Sequence, residues 1–518
     1  MATRESAHQS SEVELKLEFD PEDAARLASH SALATSLAPV EQQQLVSTYF
    51  DTGDFALHKA GVYLRVRECG GRYVQTVKSA RSKTELLERL EWEREISGSS
   101  PELAAAEGTA LAPLLTQEVR ASLRPLFETR ISRTIYRVER GGAEIEAAID
   151  QGEIVAGGRK RPICELELEL KRGETAELFH LARILAAAVL LRLEVKTKAE
   201  RGYELLKNDK HGVEKAADID IGPEMGSGDA FRAVAQSCLR QIIANEAAMC
   251  LGHAEALHQM RIGLRRLRAA ISIFADVIAD KDLERIKAEL KWITQELGPA
   301  RDLDVFAADV LKPLKAAHPE DEKVAAIHRD FAERRAAAYA RAAGSIRSGR
   351  FRNAILDLAE WVETGPWAVE DDDERAALRT RPIAELAKQE LARLRKRIKR
   401  RGPDLRHRSV RQRHKLRIAA KRLRYATEFF ANTFPGEPST KRRADALSAL
   451  KDLQDALGGL NDIATRHTLM TDGAESEAAE KIAPDARLAA AGSQAERLLL
   501  AAEQAFARFA GVKAFWQT

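Results

Sequence analysis

Apolar and charged residues alternate with period two over Glu12–Glu18, EVELKLE, where Val13, Leu15 and Leu17 interleave with Glu12, Glu14, Lys16 and Glu18. Successive side chains of an extended chain point to opposite faces, so this spacing predicts a strand with one apolar and one charged face. The alternation returns in VYLRVRE with Arg65 and Arg67, in YVQTVKS with Lys78, and in ERLEWERE with Glu91 and Glu93. It returns again in EIEAAID, which runs to Asp150, and in ICELELELK, where Glu165, Glu167 and Glu169 alternate with leucines. Gly70-Gly71, Gly141-Gly142 and Gly157-Gly158 fall between these runs as turn signals. Short strands joined in this way predict an antiparallel sheet or barrel. The most apolar run, LFHLARILAAAVLLRLEV, is broken by Arg183 and Arg192 and is too short for a bilayer. It predicts a buried helix, with 178–191 covering the apolar side of the strands.

Farther along, the period becomes helical and the sequence repeats. HQMRIGLRRLRAAISIF from His258 is matched by HKLRIAAKRLRYATEFF from His414, and LGPARDL from Leu297 by LGGLNDI from Leu457. The copies lie about 156 to 160 residues apart, which predicts an internal duplication. Ala, Leu, Glu, Lys and Arg dominate, so two antiparallel helical bundles are expected. His258, Arg261, Arg265 and Arg268 fall on one helix face, and His414, Arg417, Lys421 and Arg424 repeat the spacing. Arg266 and Arg422 flank these stripes, and RLRKRIKRR at 393–401 adds cations. A charged helix face is usually paired with acids one turn away, but no such acids are evident beside these residues, so an external polyanion is implied.

Length and charge then divide the chain. At 518 residues it exceeds one ordinary core. Up to Asp220 there are 31 Lys and Arg against 37 Asp and Glu; beyond it there are 51 against 42. The joint falls in ADIDIGPEMGSGDA, giving domains 1–216 and 229–518 around a linker at 217–228, with the duplication at about 229–370 and 380–515. The segments 365–382 and 471–484 read as loops. The opening MATRESAHQS lacks an apolar signal core, and Cys69, Cys164, Cys238 and Cys250 form no CxxC pair. A reducing cytoplasm is the expected compartment and zinc is not expected.

The chemistry comes from the sign of the strand faces. A solvated strand face usually mixes charges, and like charges opposed across strands cost stability. Here one strand carries two arginines and another three glutamates. Closing the sheet with these faces inward would give a polar tunnel, with carboxylates for a divalent metal and Arg and Lys for phosphates. No Ser/His/Asp or Cys/His constellation is evident, so a covalent intermediate is not expected.

The ordered segments EVELKLEF, STYFDTGDFALHKAGVYLRVRE, RYVQTVK, RLEWERE, LFETRISRTIYRV, AAIDQGEIVAG, PICELELELK and VKTKAERGYELL, over about residues 10–207, resemble the CYTH domain of triphosphate tunnel metalloenzymes. The resemblance implies an antiparallel β-barrel tunnel with flanking helices, in an α+β multidomain chain. It implies metal or water-positioning roles for Glu12 and Glu14, a phosphate-facing Lys16, and triphosphate-binding Arg65, Arg67, Lys78, Arg130, Arg133 and Lys198. Glu91 and Glu93 match a tunnel acidic pair. Asp150 and two of Glu165, Glu167 and Glu169 match the side that holds Mg2+ or Mn2+. Thr197 stands where the family often has serine. Hydrolysis of inorganic triphosphate is the expected reaction; cyclisation of ATP, hydrolysis of thiamine or nucleoside triphosphates, or a silent scaffold are the alternatives.

The HxxRxxxxRLR segments and LxxLQDxLGxLND at 450–462 resemble the CHAD domain, over about 228–510. That resemblance implies an all-α domain binding inorganic polyphosphate through His258, Arg261, Arg265, Arg268, His414, Arg417, Lys421 and Arg424, and hence an association with polyphosphate granules. Nucleic acid is the weaker partner, because no helix-turn-helix, RNP or zinc-finger signature is present and aromatic residues make up only 5% of the chain.

Overall fold

The computed structural model describes residues 8–34, 38–79, 87–208, 212–369, 373–471 and 484–517. Among them, nine strands form one antiparallel sheet: β1 (His8–Glu18), β2 (Glu41–Asp51), β3 (Val62–Cys69), β4 (Arg72–Ser79), β5 (Glu88–Ile96), β6 (Arg124–Arg140), β7 (Ala143–Ala156), β8 (Arg159–Arg172) and β9 (Arg192–Leu193). The order is β5-β4-β3-β2-β6-β7-β8-β1-β9, and β1 also pairs with β5. β1 is divided along its length: residues 8–13 pair with β5 and residues 13–18 with β8.

Turn chemistry sets the register. β3–β4, β6–β7 and β7–β8 are joined by the three Gly-Gly pairs, each with both residues at positive φ: +56° and +81°, +56° and +80°, and +54° and +76°. Two residues at positive φ match the twist of the strands they join, and glycine adopts that conformation without steric cost.

The centres of the alternating runs are buried, with Leu15, Leu166 and Leu168 all at 0% exposure. Helix α1 (Ala176–Ala186) packs against β8 and buries Leu178, Phe179, Leu181 and Leu185. It stops at Ala186, short of the expected 191, because Arg192 and Leu193 instead pair with Glu18 and Leu17 as β9. A second cluster, Phe50, Leu64, Val66, Val77, Trp92 and Ile96, packs under Leu111 and Leu115.

The remaining chain is helical: α2 (Lys198–Leu206), α3 (Ser227–Ile243), α4 (Ala254–Ile273), α5 (Leu283–Glu296), α6 (Glu322–Arg347), α7 (Gly349–Thr364), α8 (Ile383–Arg401), α9 (Val410–Phe429), α10 (Glu437–Thr471) and α11 (Pro484–Gly511), with shorter helices between. The segment 365–382 holds two of these, Pro366–Val369 and Asp373–Thr380, where loop was expected. Most of 471–484 lies outside the described residues. No helix among the described residues is long and apolar enough to cross a membrane.

Contacts divide the chain into two compact units. The first comprises Met1–Asp218, Ala235–Arg265 and Asp280–Val369; the second comprises Ile219–Val234, Arg266–Ala279 and Glu370–Thr518. The first holds the sheet and a helical layer that buries Ile286, Leu290, Phe351, Ile355 and Trp361, with Asp280 accepting the indole N–H of Trp361 at 2.8 Å. The second has its own core of Leu391, Leu394, Leu416, Leu423, Phe429, Leu450 and Leu453.

Candidate active site

Strand register decides which charges meet. Glu14 stands opposite Glu169, Lys16 opposite Glu167 and Glu18 opposite Glu165 across β1 and β8. Asp150 is flanked by Arg133 on β6 and Glu165 on β8. On the other side of the sheet Lys78 faces Glu91, and Thr76 lies between Arg65 and Glu93. One cavity of about 340 Å³ is lined by Glu12, Glu14, Lys16, Arg65, Arg67, Lys78, Glu91, Glu93, Arg133, Glu167, Glu169 and Lys198.

Behind Glu167 of the lining, Asp150, Glu165 and Glu167 each bring one oxygen within 4.8 Å of the others, all three residues being buried. Asp150 and Glu165 are completely covered, at 0% exposure. Lys198 Nζ sits among them, 2.9 Å from Asp150, 2.5 Å from Glu165 and 2.6 Å from Glu167. Arg133 grips Asp150 with both Nε and Nη2 at 2.7 Å and reaches Glu167 at 2.5 Å. Lys16 Nζ lies 3.2 Å from Glu167. Burial works against the charge on Glu167, but Lys198, Lys16 and Arg133 outweigh it and hold its carboxyl well below the usual range. Asp150 is held below its ordinary value in the same way, by Lys198 and Arg133 against burial. Among the described residues this is the carboxylate group whose oxygens are close enough to share one ion. Three hard carboxylate oxygens are the donors Mg2+ or Mn2+ prefers, at the position the Lys198 ammonium takes here. Glu169 stands apart from the trio and pairs with Lys171 at 2.6 Å.

The opposite wall repeats the motif with fewer acids. Arg65 donates to Glu91 at 3.0 Å, to Glu93 at 3.4 Å and to Thr76 at 3.1 Å. Lys78 pairs with the second oxygen of Glu91. Burial opposes ionisation of Glu91, yet Lys78 and Arg65 keep its pKa far below normal. Glu12, driven by burial and by Glu91, is pushed the other way, up to about 8. The two neighbouring carboxyls are therefore shifted in opposite directions. Arg67 differs from its neighbours. Its Nε is buried with no hydrogen-bond partner among the described residues. Burial, Arg65 and Arg133 all lower its pKa, so the chain itself leaves this guanidinium under-compensated.

Arg130 lies outside this group. It is exposed on β6, three residues from Arg133, and pairs with Glu128 at 3.1 Å. Other groups join that the alternation did not single out. Tyr49, Tyr63, Glu146 and Lys171 line the cavity, as does Arg240 of α3. Arg201 of α2, 1% exposed, pairs with Glu165 and lies 3.0 Å from Glu18. Its spacing of three from Lys198 on one helix was the available signal.

In the helical half, the stripe of α4 is half-buried except for exposed Arg268. His258 Nδ1 and the Nε atoms of Arg261, Arg265 and Arg417 have no hydrogen-bond partner among the described residues. Arg261 also donates to the Thr294 carbonyl at 3.3 Å. Burial, with Arg301 nearby, holds His258 below its ordinary pKa. The expectation that the stripes lack acids on their own helices fails at Arg424, which lies 3.4 Å from Glu428 one turn on. The two copies share one contact: a Cβ at Gly298 would lie 3.5 Å from Arg261 Nη1, and one at Gly458 would lie 3.5 Å from Arg417 Nη2.

Comparison with known proteins places names beside these features. The CYTH domain model matches residues 10–203 and the CHAD domain model residues 233–471. An inorganic triphosphatase of Haemophilus influenzae is 34% identical over 198 residues, which cover 38% of this chain and 54% of that protein. The chain therefore spans about half the length of the curated relative it matches. Among solved structures, a CHAD domain from Ricinus communis is 27% identical with a TM-score of 0.45, over 59% of this chain and 98% of that one. A Hippeastrum candidate adenylyl cyclase described as having a dominant triphosphatase activity is 19% identical with a TM-score of 0.29, over 38% of this chain and 96% of that one.

Proposed function

We propose that this chain, which carries a CYTH domain followed by a CHAD domain, hydrolyses inorganic triphosphate in its sheet and binds polyphosphate with its helices. Pairing of β1 with both β5 and β8 supports reading the sheet as a closed barrel and the cavity as its tunnel. The shared glycine–arginine contact supports the duplication. The domain organisation 1–216, 217–228 and 229–518 belongs to the same reading.

One observation carries the enzymatic part. A cation with an unpartnered nitrogen, Arg67, lines the cavity with Arg65, Lys78 and Arg133, and Glu167 of the carboxylate trio lines it too. A half-buried guanidinium with a covered, unpartnered Nε calls for an anion, and a phosphate supplies acceptor oxygens in the geometry arginine prefers. Phosphoanhydride hydrolysis needs charge neutralisation and an in-line water rather than covalent help. Asp150, Glu165 and Glu167 would hold Mg2+ or Mn2+, whose charge, when bound, offsets that of the phosphates and makes water a better nucleophile. Arg65, Arg67, Lys78, Arg133, Lys16 and Lys198 bind and orient the phosphate oxygens. Glu12 and Glu91, shifted in opposite directions, line the cavity with Glu14 and Glu93 and would position a water there.

The test is phosphate release by the purified chain with Mg2+ or Mn2+ from inorganic triphosphate, ATP and thiamine triphosphate. Release from inorganic triphosphate that Glu167→Gln abolishes is expected. No release from any substrate, with polyphosphate binding intact, overturns the enzyme and leaves a scaffold. Tyr49 and Tyr63 in the lining favour one second reading, a triphosphate bearing an aromatic group, and faster turnover of ATP or thiamine triphosphate would select it.

Polyphosphate binding is assigned to the two stripes, His258, Arg261, Arg265 and Arg268, and His414, Arg417, Lys421 and Arg424. Their unpartnered ring and guanidinium nitrogens support it. Polyphosphate should outcompete RNA at matched salt, since both interactions weaken with ionic strength; the reverse order would overturn the assignment.

A further inference from the structure

We infer that Arg240 is a positioning residue for the tunnel, contributed from outside the part of the chain that matches the CYTH domain. The inference rests on the triphosphate-binding part of the reading above. Arg240 lies near the end of α3, within the segment that matches the CHAD domain. It is nevertheless part of the cavity wall, beside Thr197, Lys198, Ala199 and Glu200.

Its guanidinium closes a clamp on the start of α2. Nη1 donates to the Val195 carbonyl at 2.8 Å, and Nη2 donates to Glu200 Oε1. Nε lies 3.6 Å from Glu214. The other oxygen of Glu200 accepts the Thr197 N–H at 2.7 Å, and Thr197 Oγ1 accepts the Glu200 N–H at 3.0 Å, a reciprocal capping box. One carboxylate therefore fixes the helix start from inside while Arg240 holds it from outside. The first residue of the helix so fixed is Lys198, whose ammonium sits among Asp150, Glu165 and Glu167.

The arrangement is specific to arginine. A planar fork donates to a carbonyl and a carboxylate at once, whereas an ammonium is a point charge on a flexible stem. Behind Arg240, α3 is held closely to α4. A Cβ at Gly263 would fall 2.8 Å from Ile242 Cγ1, and Gln241 donates to Gln259 at 2.8 Å. Arg240 thus projects from a packed helix rather than from a loop. A rigid support of this kind is what positioning requires, because displacing a binding group by about 1 Å can cost as much as 100-fold.

The experiment uses the full chain and measures inorganic triphosphate binding by calorimetry, kcat and KM for phosphate release, and the thermal midpoint. Arg240→Ala should raise Kd and KM for triphosphate about tenfold while kcat changes less than about twofold. Arg240→Lys should recover part of that loss. Glu200→Gln, which keeps the shape of the clamp but removes its charge, should raise Kd in the same direction and guards against an Arg240→Ala chain that does not fold. Equal Kd and KM in folded wild-type, Arg240→Lys and Glu200→Gln chains would overturn the inference. Weakened binding in a chain that binds but does not hydrolyse triphosphate would support the positioning role and sink the hydrolase reading alone. A wild-type chain that binds no triphosphate overturns both.

Discussion

Arg133 and Asp150 stand opposite one another on β6 and β7, and the guanidinium meets the carboxylate edge to edge, with two N–H···O contacts of 2.7 Å. Asp150 is completely buried, so this fork and Lys198 carry most of its solvation. Arg133→Lys keeps the charge and loses the fork. Activity should fall about 100-fold, and stability by about 1–2 kcal/mol, because a buried acceptor is left short of donors. Steady-state kinetics and urea unfolding of the variant check both numbers.

Arg67 and Arg130 give a matched contrast. Arg67→Gln removes the under-compensated cavity cation and should cut kcat/KM for triphosphate by about 100-fold, a loss of roughly 3 kcal/mol in transition-state stabilisation. Arg130→Gln should leave kcat/KM within about twofold, since its surface pair with Glu128 is worth little. Equal losses in the two variants would refute the assignment of faces.

Gly202 of α2 leaves no room for a side chain, because a Cβ there would fall 2.1–2.5 Å from the ring of Phe127. Gly202→Ala should destabilise the chain by about 1–3 kcal/mol through overpacking. The strain lies one turn from Lys198 and next to Arg201, so triphosphate affinity should fall along with the thermal midpoint. A variant with an unchanged midpoint would show that β6 and α2 can separate freely.

Glu246 gives a pH signature. It is 2% exposed, and burial, reinforced by Glu194 and opposed by Arg192 and Arg352, pushes its pKa up to about 8. The native chain then binds this proton more tightly than the unfolded chain, whose glutamate titrates near 4.5. Between those values the native state holds more protons, so stability falls as pH rises, by about 1.4 kcal/mol per pH unit from this group at most. The contribution is full below about pH 4.5 and lost above about pH 8. Glu246→Gln should flatten this slope and raise the midpoint relative to wild type at pH 8 and above. Calorimetry across pH 5–9 reads it directly.

Period two made the sheet and its inward charges legible, because a strand that buries one face has to alternate. Parity could also have separated Arg130 from Arg133, since an odd spacing sends two side chains to opposite faces. The identity of the trio was harder to read. Glu165, Glu167 and Glu169 all point the same way, and only register with Asp150 selects the first two. Arg201 and Arg240 were missed for a different reason. Each lies on a helix outside the charged strands, and its role depends on what the fold brings near it. The helix 178–191 was overextended because the apolar run continues past Ala186, where the chain leaves the helix and turns into the short strand Arg192–Leu193.

The paired glycine turns have a consequence for how the chain tolerates change in length. Each hairpin counts residues, and the wall distinguishes odd from even. One residue inserted into β7 or β8 beyond its turn inverts every later side chain on that strand, exchanging glutamates for leucines along the cavity. Two residues restore the faces and shift the charges by a single rung. Gain or loss of length in these strands is therefore quantised unless a bulge absorbs the extra residue, as the pairing of β7 with β8 does between Glu144 and Ile145.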